Sequence, residues 1–144
     1  MTDISFNELT AIIVDDQEFV RTIVSKILAQ FGFREVLTAA DGGAALTTVL
    51  ARKPDVIICD IVMKPVDGLE FLKRYRNEVP DESLRAPVIF MTGDMDQETV
   101  LKAHALGVEA LVLKPVPPKK LREKIVQLLS KRQEGKEGEE EAEG

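Results

Sequence analysis

Five short apolar runs recur along this chain, and longer amphipathic stretches separate them. A strand that is covered on both faces reads as a nearly continuous apolar run, whereas a strand with one face in water alternates. Four of the five runs are continuous in this way, which favours a parallel sheet between two layers of helices. The predicted strands are Ala11–Val14, Glu35–Ala39, Val56–Cys59, Val88–Met91 and Ala110–Leu113.

The stretches between these runs carry apolar residues at steps of three and four, the period of an α-helix. The clearest one spans Phe19–Phe31 and ends at Gly32, a residue type that often terminates helices. Asp67 and Glu70 have the spacing of an N-terminal capping box, which predicts a helix that begins at Gly68.

Strands that alternate with helices imply βα units and a parallel sheet. The chain contains neither G-x-G-x-x-G nor a P-loop sequence. We therefore predict an α/β fold, a flavodoxin-like doubly wound (βα)5 three-layer sandwich with sheet order 2-1-3-4-5. We expect an N-terminal extension at residues 1–8, the folded domain at 9–130 and a disordered acidic tail at 131–144, which is too poor in apolar residues to fold.

Charge and composition exclude several classes of function. The net charge is −6, and no stretch combines clustered basic residues with aromatics, so we expect no nucleic-acid partner. No apolar run approaches the roughly 20 residues that span a bilayer, so we expect no membrane segment. Cys59 is the single cysteine, and the N-terminus lacks the pattern of a signal peptide. These features predict a cytoplasmic protein.

Polar side chains follow four of the predicted strands, at the edge where open α/β sheets bind ligands. They are Asp15 and Asp16 after the first strand, Asp60 after the third, Thr92 after the fourth and Lys114 after the fifth. In the predicted order the first and third strands are neighbours, so three carboxylates would crowd one pocket. Their mutual repulsion would push at least one towards protonation unless a cation neutralises them.

These residue types fit phosphoryl transfer. Mg²⁺ takes oxygen ligands and is often completed by phosphate oxygens. Lys114 supplies a positive charge for phosphate, Thr92 supplies a hydroxyl, and Asp60 is a possible nucleophile because carboxylates form acyl phosphates. The alternative is that these residues have structural roles only: the aspartates would cap helices, and Lys114 would be an exposed lysine before a loop.

Four segments in order, IIVDDQ, DVIICDIVMKPVDG, VIFMTG and LVLKPV, each carry one of these polar groups at the end of an apolar run. Together they resemble the receiver domain of two-component response regulators, the CheY-like family. The resemblance implies that Asp60 accepts a phosphoryl group from a histidine kinase or a histidine phosphotransfer protein. It implies that Thr92 and Lys114 contact the phosphoryl oxygens.

The resemblance also implies a Mg²⁺ site. Asp16 would bind the ion directly and Asp15 mainly through water, while Asp60 and the backbone carbonyl of Val62 would complete the share that the protein contributes. Val62 and Asp94 flank the site in the resembling family and would influence the lifetime of the phosphoryl group.

Three features depart from the family pattern. Leu111 occupies a position where many receivers carry Phe or Tyr, so a switch based on an aromatic rotamer is not available. Lys64 stands between Met63 and Pro65, where the family usually has Met followed by Pro. The segment at 77–87 looks long for the family and is expected to form a turn.

Three functions remain open from the sequence. The leading one is a phosphorylation-switched module that acts on a downstream protein as a monomer or as a phosphorylation-dependent dimer, and is not itself an enzyme. The second is a degenerate receiver that binds partners without phosphorylation, which Leu111 favours. The third is a hydrolase of the haloacid dehalogenase type, which Val62 argues against because that chemistry needs an acid two residues after the nucleophile.

Overall fold

A computed structural model describes residues 4–93 and 96–143 of the chain. Five parallel strands form one sheet in the order β2-β1-β3-β4-β5, which confirms the predicted fold class and strand order. The strands are β1 (Thr10–Val14), β2 (Glu35–Ala39), β3 (Val56–Asp60), β4 (Val88–Thr92) and β5 (Ala110–Leu113). The helices are α1 (Glu18–Gln30), α2 (Gly42–Arg52), α3 (Gly68–Glu78), α4 (Gln97–Ala105) and α5 (Pro118–Glu143), with a 3-10 turn at Glu82–Leu84.

The sheet separates two apolar cores. Ile13 and Ile58 face the core that α1 and α5 cover, whereas Ile12 and Ile57 face the core that α2 and α3 cover. All four side chains are fully buried, because successive residues of a strand point to opposite faces and both faces are covered. This double burial explains why the strands read as continuous apolar runs. Within the described residues, no helix is both long enough and apolar enough to cross a membrane.

The strand and helix ends follow the local sequence closely. β3 and β4 each extend one residue beyond the predicted run, so Asp60 and Thr92 are strand residues. Helix α3 begins at Gly68 as predicted, because the Asp67 carboxylate accepts a hydrogen bond of 2.8 Å from the backbone N–H of Glu70. The Glu70 carboxylate pairs with Arg74 at 3.2 Å.

The segment before β1 packs against the core and against α5. Phe6, in the predicted N-terminal extension, is 3% exposed and stacks on Phe33 with ring centroids 4.7 Å apart. The guanidinium of Arg122, on α5, lies 5.5 Å above the Phe6 ring. Helix α5 continues past residue 130, where the sequence predicts the folded domain to end. The division at residues 8 and 130 and the disorder of the tail stay predictions, and Asp94 lies outside the described residues.

Candidate functional site

The predicted site residues lie at the carboxyl edge of the sheet, and the sheet itself fixes their backbones. Asp60 and Thr92 are the last residues of β3 and β4. Asp15 follows β1, and its N–H donates to the carbonyl of Ala39 at 3.1 Å. Lys114 follows β5, and its N–H donates to the carbonyl of Thr92 at 2.8 Å. Because the ladder continues through these residues, their side chains emerge at one edge.

Three carboxylates form a cluster at this edge. Oxygen atoms of Asp15, Asp16 and Asp60 all lie within 4.8 Å of one another. Asp15 is fully buried and Asp60 is 5% exposed, whereas Asp16 is open to solvent. The structure therefore brings together the three acids that the sequence predicts as metal ligands.

Lys114 reaches two of these carboxylates. Its Nζ atom lies 2.7 Å from Asp15 Oδ2 and 3.1 Å from Asp60 Oδ2. When all four groups are ionised, three carboxylates and one ammonium leave two negative charges in the cluster. Buried charge of this kind is unfavourable unless it is compensated, so the cluster suits a divalent cation.

Burial raises the pKa of Asp60 above its usual value, and the hydrogen bond and positive charge of Lys114 oppose that rise. The nearby charge of Asp15 raises the pKa of Asp60 further. For Lys114 burial acts in the other direction and would lower the pKa, but its contacts with Asp15 and Asp60 outweigh burial and the pKa is raised. Lys114 therefore favours an ionised, nucleophilic Asp60.

A cleft of about 410 Å³ opens above the cluster, and the structure places every predicted site residue except the buried Asp15 in its wall. Thr92 is 1% exposed and Val62 is 66% exposed. The backbone N–H of Val62 lowers the pKa of Asp60 and so opposes the effect of burial. The residues that line the cleft are Asp16, Gln17, Asp60, Val62, Thr92, Gly93, Asp96, Thr99 and Lys114. Metal coordination by the Val62 carbonyl stays a prediction.

Sequence reasoning missed two contributors to the site. The guanidinium of Arg21 donates to the carbonyl of Asp15 at 2.7 Å, and no local pattern marks it because it lies among the polar positions of α1. Asp96 caps α4 by accepting from the N–H of Thr99 at 2.7 Å, and both residues line the cleft. Here a signal exists: an Asp three residues before a Thr, just after a strand, predicts a helix N-terminus at the same edge of the sheet.

The departures from the family pattern have definite places. Lys64 is exposed in the loop that follows Asp60. Leu111 is half-buried on β5 and packs against the core beneath α2 and α3. The segment at 77–87 was expected to form a turn, and it contains the short 3-10 turn at Glu82–Leu84. Asp81 caps this turn by accepting from the N–H of Ser83 at 3.0 Å.

A (βα)5 sheet in this order, with acids, a threonine and a lysine at its carboxyl edge, is the CheY-like form of the flavodoxin-like fold. The family model described as response regulator receiver domain matches residues 11–126. The chain therefore belongs to the response regulator receiver domain family, and it is a receiver domain of two-component signalling.

Relatives share this domain with the chain. The "Probable transcriptional regulator ycf27" of Cyanophora paradoxa is 32% identical over 123 residues, which cover 85% of this chain and 49% of the relative. The "Regulator of RpoS" of Escherichia coli is 35% identical over 115 residues, 79% of this chain and 33% of the relative. The chain thus spans about half of these curated relatives or less.

Among solved structures, the chemotaxis protein CheY4 of Vibrio cholerae superposes with a TM-score of 0.74 at 31% identity. That match covers 84% of this chain and 98% of the solved chain. The compared region is therefore nearly the whole of that solved chain.

Proposed function

We propose that this domain is a phosphorylation-switched signalling module in which Asp60 accepts a phosphoryl group from a histidine kinase or a histidine phosphotransfer protein. The observation that carries the proposal is the environment of Asp60. Its carboxylate lies in the wall of an open cleft, 3.1 Å from the Lys114 ammonium and within 4.8 Å of two further carboxylates. Membership of the receiver family supports the same role.

The donor set fits Mg²⁺. Asp15, Asp16 and Asp60 offer only oxygen ligands, and the exposed Asp16 leaves room for water at the ion. We propose that these three side chains and the Val62 carbonyl hold the ion. When bound, Mg²⁺ would neutralise the excess negative charge of the cluster and of the incoming phosphoryl oxygens.

The chemical step is a displacement at phosphorus. A carboxylate oxygen of Asp60 forms a new P–O bond while the P–N bond of the phosphohistidine breaks. The leaving imidazole takes the electron pair of the broken bond and then a proton from solvent. Lys114 and Thr92 line the cleft and would contact the transferred oxygens. Positioning with charge stabilisation supplies most of the catalysis in such reactions.

We propose that the domain does not turn over foreign substrates. A hydrolase that forms an aspartyl phosphate in a similar sheet needs an acid two residues after the nucleophile, and that residue is Val62. The signal would instead leave through contacts with a downstream protein, as a monomer or as a phosphorylation-dependent dimer. The free, buried thiol of Cys59 is compatible with a reducing compartment such as the cytoplasm.

Intact-mass measurement after incubation with Mg²⁺ and a small acyl phosphate tests the proposal. We expect one phosphoryl group on the wild type and none on Asp60→Asn or without Mg²⁺. Asp67→Asn is the matched control, because Asp67 lies in the same loop and asparagine also caps helices; this variant should be labelled normally. An unlabelled wild type would favour the degenerate module, and sustained consumption of the donor over many turnovers would favour a hydrolase.

A further inference from the structure

The loop that follows Asp60 is fixed at its start. This loop runs from Ile61 to Asp67, between β3 and α3. The N–H of Ile61 donates to the carbonyl of Met91 at 3.0 Å, and the carbonyl of Ile61 accepts from the N–H of Gly68 at 2.8 Å. Strand β4 and helix α3 thus hold the first residue of the loop from two sides.

A second tie comes from α2, a helix none of whose residues line the cleft. The N–H of Gly42, the first residue of α2, donates to the carbonyl of Val66 at 3.0 Å. A Cβ atom on Gly42 would lie 2.6 Å from Val66 Cγ1, 2.9 Å from the Val66 oxygen and 3.1 Å from the Asp67 oxygen. Two of these three atoms belong to the backbone, so a rotamer change cannot relieve the contact.

The need for glycine at position 42 is therefore a matter of space. Positive φ angles among the described glycines occur at Gly32 and Gly107, and Gly42 has an ordinary φ. An alanine at position 42 would force the start of α2 and the Val66 backbone apart, because the two segments lie too close for a methyl group between them. Because Ile61 and Gly68 are held by the sheet and by α3, the residues between them must absorb the displacement.

Val62 is one of those residues. It lines the cleft together with Asp60 and Lys114, so a shift of the loop would move the backbone beside the phosphoacceptor. We propose that Gly42 is a positioning residue for phosphoryl transfer: the missing side chain lets the start of α2 hold the Val66 carbonyl and sets the place of Val62 beside Asp60. The proposal rests on the function proposed above.

The next glycine provides a matched control. A Cβ atom on Gly43 would meet only the Asp41 Oδ1 atom, at 3.2 Å, the end of a half-buried side chain that caps α2. Gly42→Ala and Gly43→Ala both replace a glycine in the first turn of α2, so both gain the same helix propensity. They differ in whether the new methyl group meets the loop beside Asp60.

Three readouts separate positioning from a general loss of stability. The first is the amide spectrum of residues 61–68 in the metal-free protein, recorded by two-dimensional NMR. The second is the Mg²⁺ concentration that half-saturates the rise in thermal unfolding temperature. The third is the initial rate of phosphoryl incorporation from a small acyl phosphate.

We expect Gly42→Ala to shift these amide signals and to require roughly tenfold more Mg²⁺, the usual size of effect for groups that orient metal ligands. Its phosphorylation should slow in parallel, while Gly43→Ala matches the wild type in all three readouts. Identical amide spectra for the two variants, or identical Mg²⁺ midpoints, would overturn the proposal.

The amide comparison keeps this outcome apart from a failure of the proposed function. If the wild type neither binds Mg²⁺ nor accepts phosphate, the function fails, and the metal-free spectra still decide whether Gly42 positions the loop. If Gly42→Ala does not fold, the double variant Gly42→Ala/Val66→Ala lacks the closest contact and is compared with Gly43→Ala/Val66→Ala by the same criteria.

Discussion

Replacing Lys114 by methionine would remove the ammonium that lies 2.7 Å from Asp15 and 3.1 Å from Asp60. Methionine is unbranched and resembles the apolar stem of the lysine side chain, so the substitution chiefly removes the positive charge. Removing one partner of a buried ion pair typically costs about 3–5 kcal/mol, because the remaining charge is left uncompensated. Asp15 is fully buried but the cleft is open to water, so we expect the lower figure, about 3 kcal/mol, or roughly 10 °C in Tm.

Urea unfolding followed by far-UV circular dichroism measures this loss, in a chelating buffer at about pH 7. Circular dichroism is chosen over tryptophan fluorescence because the chain contains no tryptophan. Lys64→Met is the matched control: it removes the same charge from an exposed position near the site and should change stability by less than about 0.5 kcal/mol. Equal stabilities for the two variants would refute the view that Lys114 compensates the buried acids.

The same comparison has a pH dependence of definite sign. Burial and the charge of Asp15 raise the pKa of Asp60, and Lys114 opposes the rise, so the variant should have a still higher Asp60 pKa. A carboxyl group whose pKa is raised by folding binds its proton first in the folded state, and this favours folding as the pH falls. The stability gap between wild type and Lys114→Met should therefore narrow as the pH falls from neutrality towards the ordinary range of a carboxyl pKa. A gap that widens in this window would contradict the assignment.

Two further predictions concern buried residues outside the cleft. Burial and the charge of Asp60 raise the pKa of the Cys59 thiol well above its usual value. A thiol reagent at mildly alkaline pH should therefore label the protein only as fast as it unfolds. Rapid labelling of the native protein would show that the thiol is accessible. Phe6→Ala should lower the free energy of unfolding in urea by about 3 kcal/mol, because it removes a buried ring. Phe19→Ala is the control: its side chain is 74% exposed, so the loss should be under about 0.5 kcal/mol. Similar losses of stability in the two variants would place Phe6 outside the core.

Features that depend on local sequence were predictable. The apolar runs located all five strands to within one residue, and four of the runs were clear because strands covered on both faces have no polar positions to blur the pattern. The start of α3 followed from the chemistry of Asp67 as a cap. The acids, Thr92 and Lys114 could be placed at one edge because parallel strands share a direction, although their mutual distances could not.

Contacts between segments far apart in the chain were not predictable. Lys114 and Asp15 are 99 residues apart, and no periodicity relates them. The stacking of Phe6 on Phe33, the bond from Arg21 to the Asp15 carbonyl and the tie between Gly42 and Val66 depend on how helices settle on the sheet. Such contacts are set by tertiary packing, which a single sequence records only indirectly.

The central claim is that Asp60 is the residue that receives the phosphoryl group. Chemical trapping tests it most directly: the phosphorylated protein is reduced with borohydride, which converts an aspartyl phosphate to homoserine, and the peptides are sequenced by mass spectrometry. We expect homoserine at position 60 alone, in a Mg²⁺-dependent amount. Homoserine at position 15 or 16, or none in a protein that has gained a phosphoryl group, would contradict it.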